Sequence, residues 1–114
     1  MTLLLNCDLG ESANIDSKNV DASVMPFIDQ ASIACGFHAG DPDVMAQTLT
    51  YALENKVQIG AHPSYPDREN FGRLSMDLPH QQLIDMIKEQ ISALVNIGKS
   101  LGAEVSYVKP HGAL

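Results

Sequence analysis

Four short apolar runs constrain the fold most: Leu3–Cys7, Ala31–Cys35, Val57–Ala61 and Val105–Val108. Each has the length of a β-strand, and the first reads as a strand buried in a parallel sheet. The intervening stretches change period. Val20, Val24 and Phe27 fall at helical spacing within Asp16–Ile28, with Pro26 as an early stop or kink. Met45, Leu49, Ala52 and Leu53 follow an Asp41-Pro42 helix start and run to about Asn55-Lys56. Leu83, Ile87, Ile91, Leu94 and Leu101 follow a second start at Asp77-Leu78-Pro79. Gly98 on that stripe reads as a close-packing position and Gly102 as its C-cap. The predicted order is β-α-β-α-β-α-β, an α/β chain with parallel strands. Its 114 residues fit one domain, 1–114. Four strands do not close a (β/α) barrel, so the chain reads as the N-terminal part of something larger.

Each apolar run leads into a polar turn. The turns are Asn6-Cys7-Asp8-Leu9-Gly10-Glu11, Cys35-Gly36-Phe37-His38-Ala39-Gly40-Asp41-Pro42, Gly60-Ala61-His62-Pro63-Ser64-Tyr65-Pro66-Asp67 and Lys109-Pro110-His111-Gly112. In β/α folds the C-terminal strand ends share one rim, and active sites are built there. The four turns are therefore expected to form one site. Asp8, His38, His62 and His111 are the candidate catalytic groups, with histidine as general base and carboxylate as base, metal ligand or substrate anchor. Asp8 also fits a turn former, and Asp41 a helix cap. Glu11, Asp41, Tyr65, Arg73 and Lys109 are candidate substrate contacts. Arg73, in Phe71-Gly72-Arg73, and Lys109 offer cations for a carboxylate or phosphate, although Arg73 equally fits a surface ion pair. His80 reads as a surface residue. Asp8, His38 and His62 are the candidate ligands for a divalent metal such as Zn, Mn or Fe. Neither a GxxxxGK[ST] loop nor a GxGxxG loop is present.

Composition narrows the partners. A net charge of −7 without a Lys/Arg cluster argues against nucleic acid and anionic membranes. No apolar run approaches the ~18–20 residues that span a bilayer. The start lacks the basic region of a signal peptide, so cytoplasm is expected. Cys7 and Cys35 read as reduced, largely buried thiols.

The set NCDLGE, ACGFHAGDP, IGAHPSYPD, FGR and VKPHGAL, from Leu5 to Leu114, resembles the LamB/YcsF family of lactam-utilisation proteins. The resemblance implies an irregular (β/α) barrel like that of the polysaccharide deacetylase superfamily, in which an Asp and two His bind a metal. It implies a subunit of 5-oxoprolinase that, with two partner subunits of B and C type, opens 5-oxo-L-proline to L-glutamate using ATP and Mg. On the family motifs, Asp8, His38, His62 and His111 occupy the matching polar positions. Three features depart from the family pattern. The family continues past the fourth motif with a Tyr, where this sequence stops. Ser32 stands where the family usually has Asn, and Leu74 where it has a second Arg. The alternatives are a metal-dependent hydrolase or deacetylase acting without ATP, and an inactive fragment. The fragment would need another chain, or a second copy of this one, to cover its open sheet.

Overall fold

A computed structural model describes the fold for residues 1–12 and 20–114. Strands β1 (Asn6–Leu9), β2 (Gln30–Ala34), β3 (Gln58–His62) and β4 (Val105–Val108) form one open sheet in the order β1-β2-β3-β4, every pair parallel. Helices α1 (Val20–Val24, continued by a 3-10 turn at Met25–Phe27), α2 (Pro42–Glu54) and α3 (His80–Leu101) connect them. This is the expected alternation. Asp16 to Asn19, the expected start of the first helix, lie outside the described residues.

Strand alternation sorts the sheet into two faces. Cys7, Ala31, Ile59 and Val105 pair across one row. With Leu9, Ile33 and Ala61 they pack on Met25, Met45, Leu49, Ala52 and Leu94 in a single core. The opposite face is polar and hydrogen-bonded. The Asn6 Nδ2 donates to Gln30 Oε1 (3.2 Å), the Gln30 Nε2 to Gln58 Oε1 (2.8 Å), and the Gln58 Nε2 to Ser106 Oγ (2.9 Å). The Tyr107 hydroxyl lies 3.0 Å from Ser32 Oγ and accepts from Asn6 Nδ2 at 2.9 Å. Its ring crosses Gly60, where a Cβ would sit 2.2 Å from the ring. A register shift between Ile59 and Gly60 makes this possible: Val105 pairs with Ile59 and Tyr107 with Gly60, leaving Ser106 as the extra residue of a bulge.

Three local expectations change. The first strand is Asn6–Leu9, and Leu3, Leu4 and Leu5 are exposed. The register explains this: Asn6 pairs with Gln30, the first residue of β2, so the residues before Leu5 have no strand beside them. Phe27 is 77% exposed rather than core. In α3 the N-cap is Pro79, with no side-chain cap, and Asp77 lies upstream of it. The buried line on α3 is Met86, Gln90, Leu94 and Gly98 at i, i+4 spacing, with Leu101 exposed. Gly98 does pack closely, since a Cβ would lie 3.1 Å from the Ala103 carbonyl, and Gly102 caps the helix with φ +78°. Both cysteines are free thiols; burial pushes that of Cys35 up to about 11 and raises that of Cys7.

Candidate active site

The four turns meet at the C-terminal rim of the sheet. Asp8 is in β1 and His62 ends β3; both lie on the polar face, in register with Ser32 and Ala34 of β2. Glu11 follows β1, His38 lies in the β2–α2 turn, and Lys109 and His111 follow β4. His38, His62 and His111 are all nearly fully buried. The rings of His38 and His111 stack at 3.7 Å and 8°, with Phe71 edge-on to both. Gly72 lets this happen. Its φ is +66°, and a Cβ there would lie 2.1 Å from Ser64 Oγ and 3.1 Å from both His38 and His111.

Two polar groupings share the rim. In the first, the Lys109 ammonium donates to Asp8 at 2.5 Å, and Asp8 Oδ2 lies 3.4 Å from His62 Nε2. Burial alone would raise the Asp8 carboxyl. The Lys109 hydrogen bond, with the charges of His62, Lys109 and His111, outweighs burial and holds it below the usual carboxylate range. In the second, Glu11 Oε2 lies 2.7 Å from His38 Nε2 and 3.8 Å from His111 Nδ1, and His62 Nε2 is 3.0 Å from His111 Nδ1. Ligand atoms of Glu11, His38, His62 and His111 all fall within 4.8 Å of one another. Among the described residues these four side chains form a group with metal-ligand spacing; the expected set, Asp8, His38 and His62, shares two histidines with it, and Lys109 pairs with one oxygen of Asp8. Desolvation pushes His62 and His111 below the ordinary histidine range.

The other expected contacts divide. The Asp41 carboxylate accepts from the Val44 N–H at 2.9 Å, so it caps α2. Tyr65 bonds through its carbonyl, which accepts from Ser64 Oγ and the Asp67 N–H. Arg73 is exposed, with its guanidinium 5.5 Å from the Phe71 ring, and its charge helps to lower His111. His80 is exposed at the start of α3, as expected.

Two residues escaped sequence reading. The Arg68 Nη1 donates to the carbonyls of Gly36 and Gly40 (2.8 and 2.9 Å), tying the His38 turn to the loop after β3. Arg68 also lines a cavity of about 270 Å³ with Gly36, Phe37 and Pro66; none of the histidines lines it. Gln90, fully buried on α3, clasps the backbone of Ser64. A polar residue on an apolar helical stripe was the available signal.

Comparison with known proteins agrees with this architecture. The model of the LamB/YcsF family matches residues 3–114. The second of the A-type 5-oxoprolinase subunits of Pseudomonas putida is 57% identical over 112 residues, covering 98% of this chain and 43% of that protein. The A-type 5-oxoprolinase subunit of Vibrio cholerae is 52% identical over 113 residues, covering 99% and 46%. The crystal structure of a lactam utilization protein from Thermus thermophilus superposes with a TM-score of 0.92 at 37% identity, over 99% of this chain and 46% of that one. The chain spans less than half the length of these relatives. It belongs to the LamB/YcsF family.

Proposed function

We propose that this chain supplies proton-transfer and anchoring groups for opening the lactam of 5-oxo-L-proline to L-glutamate, as part of an ATP-dependent 5-oxoprolinase with two partner subunits of B and C type. The observation that carries this reading is the buried histidine–carboxylate cluster at the strand ends of a chain 57% identical to a relative named as an A-type 5-oxoprolinase subunit. A lactam is an unstrained amide, and ATP with Mg activates its carbonyl by phosphorylating the oxygen. Water then adds to the carbonyl carbon and the C–N bond breaks, leaving an acyl phosphate; a second water displaces phosphate and gives L-glutamate. His62 suits the general base. Its Nδ1–H is committed to the Lys109 carbonyl at 2.5 Å, which leaves Nε2 as the lone pair that takes a proton from water and returns it to the leaving nitrogen. Asp8, 3.4 Å away, stabilises the imidazolium that forms. Lys109 keeps Asp8 ionised and, half-exposed, can also meet the substrate carboxylate or the phosphate.

The test is ATP-dependent glutamate release from 5-oxoproline by the complete protein with its partner subunits. His62→Ala should lower kcat by about 10²-fold or more, and an unchanged rate would remove His62 from the mechanism. Turnover without ATP would favour the alternative, a hydrolase of the deacetylase kind, which the Glu11–histidine group also suits.

A further inference from the structure

Outside the histidine cluster, Gly36, Phe37, Pro66 and Arg68 line a cavity of about 270 Å³. Its sides come from the β2–α2 turn that carries His38 and from the loop that follows His62, so it belongs to the same rim. The volume lies at the small end of the ~300–1,000 Å³ range of ligand pockets and suits a compact ligand. Phe37 and Pro66 give it two apolar walls. The backbone of Gly36 is already paired: its N–H donates to the Ala39 carbonyl at 3.0 Å, and its carbonyl accepts from Arg68. Arg68 is the one polar side chain among the four.

Both hydrogens of the Arg68 Nη1 go to carbonyls, of Gly36 at 2.8 Å and of Gly40 at 2.9 Å. These bonds fix the plane of the guanidinium. They leave Nε–H and the adjacent Nη2–H, which lie parallel and form a fork that grips a carboxylate through both oxygens. The neighbouring Asp67 is turned to Asn70, whose N–H and Nδ2 donate to its Oδ1 at 3.0 and 3.1 Å. The chain has 14 Asp and Glu against 7 Lys and Arg, yet among the described residues no carboxylate pairs with Arg68. A ligand that fits these walls and this fork is a small carboxylate with a compact apolar body. 5-Oxo-L-proline, a flat lactam ring bearing one carboxylate, has that chemistry. We propose that Arg68 anchors the carboxylate of 5-oxo-L-proline in this cavity, with the lactam ring against Phe37 and Pro66. The assignment rests on the lactam-opening reading and leaves Lys109 to the phosphate.

The test is an NMR titration of the complete protein with 5-oxo-L-proline and, separately, with 2-pyrrolidinone, the same lactam without the carboxylate. The Phe37 ring and the Arg68 Nε–H should shift on binding. 5-Oxo-L-proline should bind at least about tenfold tighter than 2-pyrrolidinone, as a hydrogen-bonded charge pair provides. Arg68→Met should abolish that preference. Loosening the His38 turn alone would weaken both ligands alike, so the preference reads the carboxylate contact. Arg68→Lys keeps a positive charge without the fork and should lose most of the preference; it carries the test if Arg68→Met does not fold, which circular dichroism checks. An undiminished preference in either folded variant overturns the proposal. So does a preference abolished by Lys109→Met instead, or 5-oxo-L-proline that leaves Phe37 unshifted. ATP-dependent glutamate release by the complete protein with its partner subunits separates the two readings. Release alongside an undiminished preference in Arg68→Met keeps the function and removes the subsite. An Arg68-dependent preference without release keeps the carboxylate subsite and removes the function.

Discussion

Gln90 is the strongest test of how the site is held from behind. It is fully buried in the middle of α3. Its Oε1 accepts from the Ser64 N–H at 2.9 Å, and its Nε2 donates to the Ser64 carbonyl at 2.9 Å. Ser64 lies two residues after His62, and the carbonyl of the intervening Pro63 accepts from the His111 N–H at 2.9 Å. One side chain therefore fixes the backbone between two of the histidines. Gln90→Leu keeps the volume and removes both bonds. The Ser64 N–H and carbonyl are then buried without partners, at about 1–3 kcal/mol each, or roughly 2–6 kcal/mol together. The apolar leucine returns about 1.5–3 kcal/mol of burial. Taking the middle of each range, the net expectation is a loss of about 2 kcal/mol. With an m-value of about 1–3 kcal/mol/M, a loss of 2 kcal/mol moves the urea midpoint down by roughly 1 M at constant m. Hydrogen exchange supplies a local readout, because the Ser64 amide should lose its protection by more than the helix amides of α3 do. A Gln90→Leu protein as stable as the wild type, with Ser64 still protected, would refute the reasoning.

Three further outcomes follow from the same geometry. Gly60→Ala should drive the Tyr107 ring off the sheet and cost about 1–3 kcal/mol by overpacking; in a Tyr107→Ala background the same change should cost far less, which a double-mutant cycle measures. Lys109→Met should raise the Asp8 carboxyl, because burial is then less opposed; NMR titration reads this, and an unmoved Asp8 would show that Lys109 is not what holds it low. Burial pushes His62 and His111 below their unfolded value of ~6.5, so the unfolded chain binds more protons below that point. Stability should therefore be full above pH ~6.5 and fall as pH drops through the two lowered values, by at most about 1.4 kcal/mol per pH unit for each group; urea midpoints that stay flat or rise on acidification contradict this.

How much of the site was legible depended on whether it needed only local geometry. His38, His62 and His111 each follow an apolar run, and parallel strands bring such positions to one rim whatever the side-chain details. The division of labour between Asp8 and Glu11 was not legible. It depends on Lys109, 101 residues from Asp8 in sequence, holding one oxygen of that carboxylate while the other stays 3.4 Å from His62. The strand limits failed where apolar character and pairing part company: Leu3 to Leu5 have strand composition, but β2 begins opposite Asn6. Gln90 was marked by its place on an apolar helical stripe, but its partner, like those of Arg68, is the backbone of a distant turn, which no side-chain pattern announces.

The bulge in β4 connects these levels. Strand side chains alternate between faces, and a one-residue slip exchanges the faces. Val105 faces the helices beside Ile59. Without an extra residue, Ser106 would stand opposite Gly60, Tyr107 would point into the core, and Lys109 would follow it. With Ser106 bulged, its Oγ donating to the Ile59 carbonyl at 3.3 Å, Tyr107 turns to the polar face and crosses Gly60 to Ser32 and Asn6. Lys109, two residues on, shares that face and reaches Asp8 on the far edge of the sheet. The residue pairing that keeps Asp8 charged beside His62 is thus set by one unpaired serine in the last strand, at the end of the sheet opposite the histidines.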